Sequence, residues 1–176
     1  MEQLQARVGK TIFIGILQND EIVYIDKKED LRNPIRFASH IGTRRPPYFG
    51  MFGQLLMAYL PESEVDRLLR RHPLTLVTRK SITDLDVFKE RLRRIREHGY
   101  SIDAEEAIEG ITGVAAPLRD FTGNVVAGVG AGFISSSVTP KEIARIRNEV
   151  LMTAKEISQE FGYLEKTGKP RHTRQG

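Results

Sequence analysis

The sequence predicts an α+β domain with a largely antiparallel sheet, helices packed on that sheet and a long helix near the C-terminal end. Strand-like segments come in two groups, with helix-like segments between and after them. Short turn sequences join the strands of each group, as in antiparallel hairpins. A chain of 176 residues is also long enough to bury one core. Together these observations favour an α+β domain over a repeated βαβ fold.

The beginning of the chain predicts a short helix followed by a hairpin. Apolar residues four positions apart in 2–8 would share one face of a helix that is too short to be stable alone. The β-rich runs 11–17 (TIFIGIL) and 21–27 (EIVYIDK) come next. The residues between them, 18–20 (QND), are typical of a turn, so we expect two antiparallel strands here.

The segment after this hairpin predicts one more strand and then an irregular stretch. Residues 35–41 alternate apolar and polar side chains, as a half-buried strand does. The stretch 42–47 (GTRRPP) ends in paired prolines, which remove two backbone donors. We therefore expect no regular structure over 42–47.

Apolar residues at helical spacing predict four further helices. Two of these helices have start signals. Thr83 is followed by Asp86 at the third helical position, which is a weak form of the capping box. Thr139 is followed by Pro140 at the first helical position and Glu142 at the third, which is the full pattern. A glycine follows each of these two helices and is expected to end it. The predicted helices cover 49–60, 62–71, 84–98 and 140–161.

Two apolar runs in the second half, 113–118 and 124–131, predict a second hairpin. The connection 119–123 (RDFTG) has an aspartate near its start and a glycine at its end, as a short antiparallel connection requires. Neither run alternates with polar residues, so we expect both strands either to be buried on both faces or to lie under a helix layer with a cavity on the other side.

Glycines stand at every second position of the last strand, so one face of that strand lacks side chains. Such a face either packs tightly against another part of the protein or leaves space for a ligand. The glycines do not lead straight into a helix, which disfavours a phosphate-binding loop. Asp103 lies nearest the hairpin and is the candidate cavity residue, while Glu105 and Glu106 are typical of a solvated loop. The glycines concerned are Gly128, Gly130 and Gly132.

The composition excludes several other classes of function. The formal net charge is +4, but the segment 166–176 holds four basic residues and no acidic ones; removing these four from the 27 basic residues leaves 23, equal to the number of acidic residues. A basic nucleic-acid groove is therefore not expected. Cysteine is absent and the four histidines are scattered, so we expect no metal site, no catalytic nucleophile and no cofactor. No apolar run approaches the roughly 20 residues that cross a bilayer, so no membrane partner is expected.

Several motifs in the same order resemble the C-terminal region of the IclR family of bacterial transcriptional regulators. The region 41–60 has the family's glycine, paired prolines and glycine-containing helix start. The segments 81–84 (SITD) and 95–100 (IREHGY) resemble the family's "TITD" and "IR..GY". The segments 103–106 (DAEE) and 114–120 (VAAPLRD) resemble its "D.EE" and "IAAPI.D". Each motif is short, and their shared order makes the resemblance specific.

The resemblance implies an effector-binding domain with a fold similar to GAF and profilin-like domains. It assigns 1–8 to the end of a linker helix, 9–165 to the effector-binding domain, and 166–176 to a basic tail that we expect to be disordered. In this family an N-terminal winged helix-turn-helix binds DNA, and we expect that domain to be absent from this chain. The resemblance also implies a ligand sensor rather than an enzyme, a homodimer or tetramer, a cytoplasmic location, and DNA contact only through the missing domain.

The family's effector site can be carried over residue by residue. The two strand positions that are often serine in the family are glycine here, and aromatic residues have been added at the helix start. The resemblance therefore implies a roomier, less polar pocket than in members that sense small keto acids, suited to an aromatic or larger apolar acid or amide. The predicted effector-binding residues are Gly50, Met51, Phe52, Asp103, Gly113, Gly130 and Gly132.

Two alternatives stay open at this point. The same pocket could belong to a small hydrolase or isomerase that uses Asp103 with a neighbouring carboxylate. The fold could also belong to a cyclic-nucleotide sensor of the GAF type. No nucleophile, metal-ligand or cofactor motif supports the enzyme, so we predict no catalytic residues.

Overall fold

The computed structural model describes residues 1–30 and 37–164, which form one antiparallel sheet with helices on both faces. The strands are β1 (Thr11–Gln18), β2 (Glu21–Lys28), β3 (Arg44–Arg45), β4 (Ser101–Ala104), β5 (Ile111–Arg119) and β6 (Val125–Ile134). The helices are α1 (Glu2–Val8), α2 (Gly50–Ala58), α3 (Glu62–Arg71), α4 (Leu85–His98) and α5 (Pro140–Glu160), with a 3₁₀ turn at Ser135–Ser137. The strand order is β3-β2-β1-β6-β5-β4 and every pairing is antiparallel, which confirms the predicted fold class.

Each face of the sheet has its own hydrophobic core. One core lies under α1 and α5, and it includes Ile12 and Val114. The other lies under α2, with α3 and α4 around it, and it includes Phe13 and Ala115. Because successive strand residues point to opposite faces, neighbours such as Ile12 and Phe13 enter different cores. This burial on both sides explains why the central strands lack polar alternation.

The β1–β2 hairpin closes with a two-residue turn. Asn19 and Asp20 both have positive φ, 53° and 65°, which is the backbone of a type I′ turn and fits the twist of antiparallel strands. The Asp20 carboxylate accepts a 2.6 Å hydrogen bond from the Arg67 guanidinium, so the turn is also tied to α3.

The edge strands differ from the prediction. β4 occupies a segment that the sequence predicts to be an acidic loop, and it pairs with residues 112–115 of β5. β3 lies inside 42–47, where irregular structure is predicted; that prediction is wrong because the two prolines follow the paired residues instead of interrupting them. Arg44 and Arg45 pair with Val23 and Ile22 of β2.

The strand predicted over 35–41 is also wrong for the part that the structure describes. Residues 37–41 are not in a strand, and 35–36 lie outside the described residues. The predicted basic tail, 166–176, lies outside them as well. Alternation over a few residues therefore predicts strand only where a partner strand is available.

Helix starts are set by the expected chemistry, with one shift. At α5, Thr139 and Glu142 form a reciprocal capping box, with the Thr139 backbone N–H donating to the Glu142 carboxylate at 2.8 Å. At α4, the cap is Asp84 and not the predicted Thr83: the Asp84 carboxylate accepts a 2.9 Å bond from the Val87 N–H. Both residue types cap helices, and the choice between neighbours depends on where the chain turns.

The glycine-rich face of the sheet is the seat of α2. The Phe52 ring is fully buried against it, and a methyl group added to Gly15 or Gly128 would lie 2.7 or 2.8 Å from that ring. At Gly130 an added methyl group would lie 2.6 Å from the Val114 carbonyl oxygen. A side chain at Gly128 could not coexist with α2, and one at Gly130 would clash with the backbone of β5, so at both positions the missing side chains allow close packing and leave no empty space.

Candidate functional site

A small cavity remains at the N-terminal end of α2, between that helix, the β4–β5 pair and residues 37–39. It encloses about 50 Å³. Its polar lining comes from the Asp103 carboxyl group, Ser39 and the Tyr24 side chain. Its apolar walls are formed by Phe13, Phe37, Phe49, Ile108 and Ile111. A volume of this size holds a few water-sized groups.

Most of the sequence-predicted site residues meet at this cavity. Its lining includes Gly50, Met51, Asp103, Gly113 and Gly132. The structure does not bring the other two predicted residues, Phe52 and Gly130, to the lining. The Phe52 ring lies between α2 and the sheet. The Met51 thioether covers Gly130, where an added methyl group would be 3.0 Å from the sulfur.

Asp103 is held in place by its own loop. It lies on β4 and is 7% exposed. Its Oδ1 atom accepts hydrogen bonds from the backbone N–H groups of Glu106 at 2.8 Å and Ala107 at 3.3 Å. Its Oδ2 atom faces the start of α2, since a methyl group added to Gly50 would lie 3.3 Å from that oxygen. One carboxylate oxygen is therefore used by the loop, and the other is directed toward the helix start.

Burial changes the acidity of this carboxyl group. The pKa of Asp103 is raised from 3.8 to about 6, mainly because burial removes water from around the carboxyl group and in smaller part because of the nearby Glu106 carboxylate. The two backbone hydrogen bonds and the Arg91 guanidinium act in the opposite direction and do not overcome the burial. Near neutral pH, Asp103 can therefore exchange a proton with a ligand at small cost.

The start of α2 offers backbone donors to the same cavity. Its N-cap residue, Phe49, makes no side-chain cap hydrogen bond, and Gly50 begins the helix with a φ of +63°. The first amides of an α-helix have no acceptor within the helix, and they favour a negative charge or a carbonyl oxygen nearby. An oxygen-bearing ligand group could therefore bind between the helix start and Asp103.

Aromatic rings form the opposite wall in edge-to-face contact. Phe13 is 5.5 Å from Tyr24 and 5.7 Å from Phe37, measured between ring centroids, and Tyr24 is 5.7 Å from Phe52. Burial raises the pKa of the Tyr24 hydroxyl, so that group is a neutral hydrogen-bonding partner. This wall favours a flat or apolar ligand body.

Glu105 and Glu106 do not belong to the cavity lining, and they are less solvated than the sequence predicts. The Glu106 carboxylate accepts from Gln54 at 2.6 Å and pairs with Arg91 at 2.9 Å, with 12% of its side chain exposed. Glu105 pairs with Lys80 at 3.1 Å. These contacts fix the acidic loop to α2, α4 and the segment before α4, and so they position Asp103.

Sequence reasoning missed the aromatic side of the cavity. Phe13 and Tyr24 could have been found, because strand alternation places Phe13 on the same face as Gly15. Phe37 and Ser39 carry no local signal, since they lie in a segment without regular structure. Among residues 1–30 and 37–164, no group of three His, Asp or Glu residues is arranged to hold a metal ion, and no helix is long and apolar enough to cross a membrane.

Comparison with protein families and curated relatives gives consistent matches. The family model for "Bacterial transcriptional regulator IclR C-terminal" matches residues 1–159. Over 163 residues the chain is 31% identical to the HTH-type transcriptional regulator XynR and 32% identical to the HTH-type transcriptional regulator KdgR, both of Escherichia coli K12. These alignments cover 93% of this chain but 64% and 62% of the relatives. The chain thus spans about three fifths of the length of these regulators.

Solved structures agree with that result. The crystal structure of the C-terminal domain of E. coli KdgR superimposes with a TM-score of 0.82 at 30% identity, covering 93% of this chain and 94% of that one. The crystal structure of the Thermotoga maritima IclR superimposes with a TM-score of 0.85 at 32% identity, covering 92% of this chain and 65% of that one. Nearly the whole chain therefore has a counterpart in these structures.

Proposed function

We propose that this chain, which belongs to the IclR family of bacterial transcriptional regulators, senses a small organic effector in the cavity beside Asp103. The observation that carries this proposal is the meeting of three features in one cavity. These are an uncapped helix start, a buried carboxyl group with a raised pKa, and an aromatic wall.

The family is named for transcriptional regulators and not for enzymes, which confirms the prediction that this chain is not an enzyme. Support for the hydrolase or isomerase alternative is thereby lost. Asp103 acts in this proposal as a binding group, which holds or exchanges a proton with the effector and forms no covalent bond.

The chemistry of the lining favours an acid or amide with an aromatic or apolar body. The carboxylate or carbonyl oxygen of such a molecule would accept from the first amides of α2, at Gly50 and Met51. An amide N–H would donate to Oδ2 of Asp103, and an acid would share a proton with it, since the pKa of Asp103 is about 6. The apolar body would pack against Phe13 and Phe37.

Met51 provides the extra space that a larger effector needs. Its sulfur would lie 2.7 Å from a methyl group on Gly113 and 3.0 Å from one on Gly130. The thioether therefore occupies the room that the two glycines leave. Methionine has three rotatable side-chain bonds, so a change of rotamer that moves the Met51 sulfur away from Gly113 would extend the cavity over that glycine.

Binding regulates transcription only if the effector has different affinities for two states of the whole regulator. We propose that these states differ in the oligomer, a homodimer or tetramer, and that a DNA-binding domain outside this chain responds to them. The protein would act in the cytoplasm, where its operator DNA is located.

A ligand panel tests the proposal. We expect benzoate or benzamide to raise the melting temperature of the 176-residue chain more than pyruvate does, and cyclic AMP to leave it unchanged. Stabilisation by pyruvate alone would contradict the proposed effector class. Stabilisation by cyclic AMP alone would favour the GAF-type cyclic-nucleotide sensor.

A pair of glycine substitutions locates the binding site. Gly50→Ala places a methyl group 3.3 Å from Asp103 Oδ2 and should abolish the stabilisation by benzamide. Gly99→Ala imposes a similar backbone strain, since the φ values are +63° and +77°, but its methyl group meets nothing within 4 Å. Equal binding by the two variants would show that the effector lies elsewhere.

A further inference from the structure

A second and larger cavity lies where β5 has no strand beside it. β4 pairs with residues 112–115 of β5, and its first residue, Ser101, lies opposite Ala115. Residues 116–119 of β5 therefore have β6 on one side and no neighbouring strand on the other among the described residues. The space at that edge measures about 440 Å³ and is bounded by α5 and by the C-terminal ends of α2 and α4. This volume lies in the range of small-molecule sites, whereas the Asp103 cavity is several times smaller. We call this space the basic cleft.

Arg119 is the central polar group of the basic cleft. Its guanidinium lies 4.8 Å from the Tyr59 ring centroid and 5.8 Å from the Tyr163 ring centroid. Its Nη1 atom donates to the Gly123 carbonyl at 2.9 Å, and its backbone N–H donates to the Ser158 hydroxyl at 3.0 Å. A guanidinium carries five N–H donors in one plane, and the bond to Gly123 uses one of them. The two tyrosine rings and the bond to Gly123 hold the guanidinium in place, and its remaining N–H donors can contact a carboxylate.

The charges around Arg119 favour an anion. The side chains that line the cleft include Arg96, Arg119 and Lys155 as cations and Glu97 as the acidic residue. Arg96 uses part of its guanidinium for the carbonyls at the end of α2, donating to Ala58 at 2.6 Å. The guanidinium of Arg119 lies in a partly enclosed space, where a charge–charge interaction is stronger than at an open surface.

The rest of the lining is apolar. Pro117 and Ala116 form the floor, and Leu151, Met152 and Ala154 of α5 form one wall. The Met152 side chain is large, flexible and 49% exposed. A ligand that satisfied Arg119 alone would leave this surface in water, so the lining fits a molecule that carries both an anionic group and an apolar body.

We infer that the basic cleft is a second ligand site, which binds a small organic carboxylate by its charge at Arg119 and by its apolar body against Pro117 and Met152. This inference does not depend on an effector in the Asp103 cavity, because the two cavities share no lining residue. The occupant is a small molecule, since the tyrosine-held guanidinium lies within a concave space.

The position of the cleft gives such a ligand a route to the rest of the protein. Met152 and Lys155 line the cleft, and Thr153 of the same helix accepts a 2.7 Å hydrogen bond from Arg7 of α1. Arg7 also pairs with Glu149 at 3.2 Å. A ligand that binds against α5 therefore contacts the helix to which α1 is attached through Arg7, and α1 is the element at the N-terminal side of β1.

Titration with 2-naphthoate, followed by backbone amide NMR of the 176-residue chain, tests the inference. We expect saturable shifts at residues 116–119 and 151–159. The uncharged analogue 2-naphthalenemethanol should bind about tenfold more weakly, as loss of one charge-assisted contact implies. Arg119→Gln should weaken binding of 2-naphthoate by about tenfold, and Lys155→Gln by a smaller factor.

Controls separate this site from the proposed effector cavity. Asp103→Asn should leave 2-naphthoate binding at the cleft unchanged, and Arg119→Gln should leave the stabilisation by benzamide, which carries no charge, unchanged. If Arg119→Gln does not fold, Lys155→Gln and the uncharged analogue decide the question. The inference is overturned by shifts confined to the Asp103 cavity, by equal affinities for the acid and the alcohol, or by concentration-dependent shifts without probe, which would mean that a second copy covers the cleft.

Discussion

The two ends of α2 are finished in different ways. At its C-terminal end, the protein supplies the missing partners: Arg96 donates to the carbonyls of Ala58 at 2.6 Å and Leu60 at 3.2 Å. At its N-terminal end the N-cap residue, Phe49, makes no side-chain cap hydrogen bond, and the first residues line a cavity that also contains Asp103. Both ends of any helix leave unsatisfied backbone groups. The contrast indicates that the C-terminal end has a structural role and that the N-terminal end is available to a ligand.

The largest loss of stability should come from the buried middle that both ends share. Phe52→Ala removes a fully buried ring that lies on Gly15 and Gly128, and it leaves a cavity that backbone cannot fill. We expect the free energy of unfolding, measured in urea, to fall by about 3–5 kcal/mol. Phe121→Ala is the control, since that ring is 77% exposed, and it should cost less than about 0.5 kcal/mol. Similar losses for the two variants would mean that α2 is not anchored by Phe52.

The next effect tests the N-terminal end and depends on pH. Because the folded-state pKa of Asp103 is about 6 against an ordinary 3.8, the folded state binds this proton more tightly than the unfolded chain. The contribution of the Asp103 proton to the stability of the folded state is therefore full below about pH 4 and is lost as the pH rises through 6. Asp103→Asn keeps an acceptor for the loop amides and carries no charge. It should be more stable than the parent by roughly 2–3 kcal/mol at pH 7.5, with little difference at pH 4.

Urea unfolding of both proteins at the two pH values measures this difference. Glu109→Gln, an exposed carboxylate on the same loop, is the matched control and should not alter the pH dependence. A pH-independent effect of Asp103→Asn would show that Asp103 is ionised and well solvated in the folded protein, and the two ends of α2 would then differ less than the structure indicates.

A smaller effect tests the C-terminal end. Arg96→Ala removes both donors to the α2 carbonyls, and its guanidinium is partly solvated, so we expect a loss of about 1 kcal/mol in thermal or urea unfolding. Arg93 on the same helix makes a surface ion pair with Glu90, and Arg93→Ala should have almost no effect. An equal response of the two arginine variants would remove the evidence that Arg96 caps α2.

The smallest effect compares α2 with a helix that has a cap. Asp84→Ala deletes the side chain that caps α4 and should cost about 0.5–1 kcal/mol in thermal unfolding. Thr83→Ala, at the position that the sequence predicts as the cap, should cost less. The reverse order would mean that the helix begins one residue earlier in solution, and that caps at these helix starts are interchangeable.

The fold was largely accessible from sequence because its signals are local. The turn at Asn19 and Asp20, the capping box at Thr139 and the apolar runs of β5 and β6 each depend on neighbours in the chain. β3 and β4 were not accessible in this way. A two-residue strand and a four-residue strand exist only because β2 and β5 offer free edges, and that is a property of the assembled sheet.

The site divides along the same line. Alternation predicts that Gly128, Gly130 and Gly132 share a face, and they do. Which side chain lies on each glycine depends on how α2 crosses the sheet: Phe52 lies on Gly128, Met51 lies against Gly130, and only Gly132 reaches the cavity. The position of Asp103 before the hairpin predicts it as a candidate. Its burial depends on the acidic loop being fixed by the contacts of Glu106 with Gln54 and Arg91, which are distant in sequence.

The seating of Phe52 also limits how α2 can move. The Phe52 ring packs against the backbone at Gly15 and Gly128. We therefore expect α2 to resist sliding along the sheet, because sliding would push the ring into neighbouring residues, and to tilt about this contact more easily. A ligand that displaced Met51 at the N-terminal end of α2 would then also move its C-terminal end, where Arg96 donates to the carbonyls of Ala58 and Leu60. If an effector binds in the cavity as proposed, we therefore expect its effect on α2 to be a rotation about Phe52.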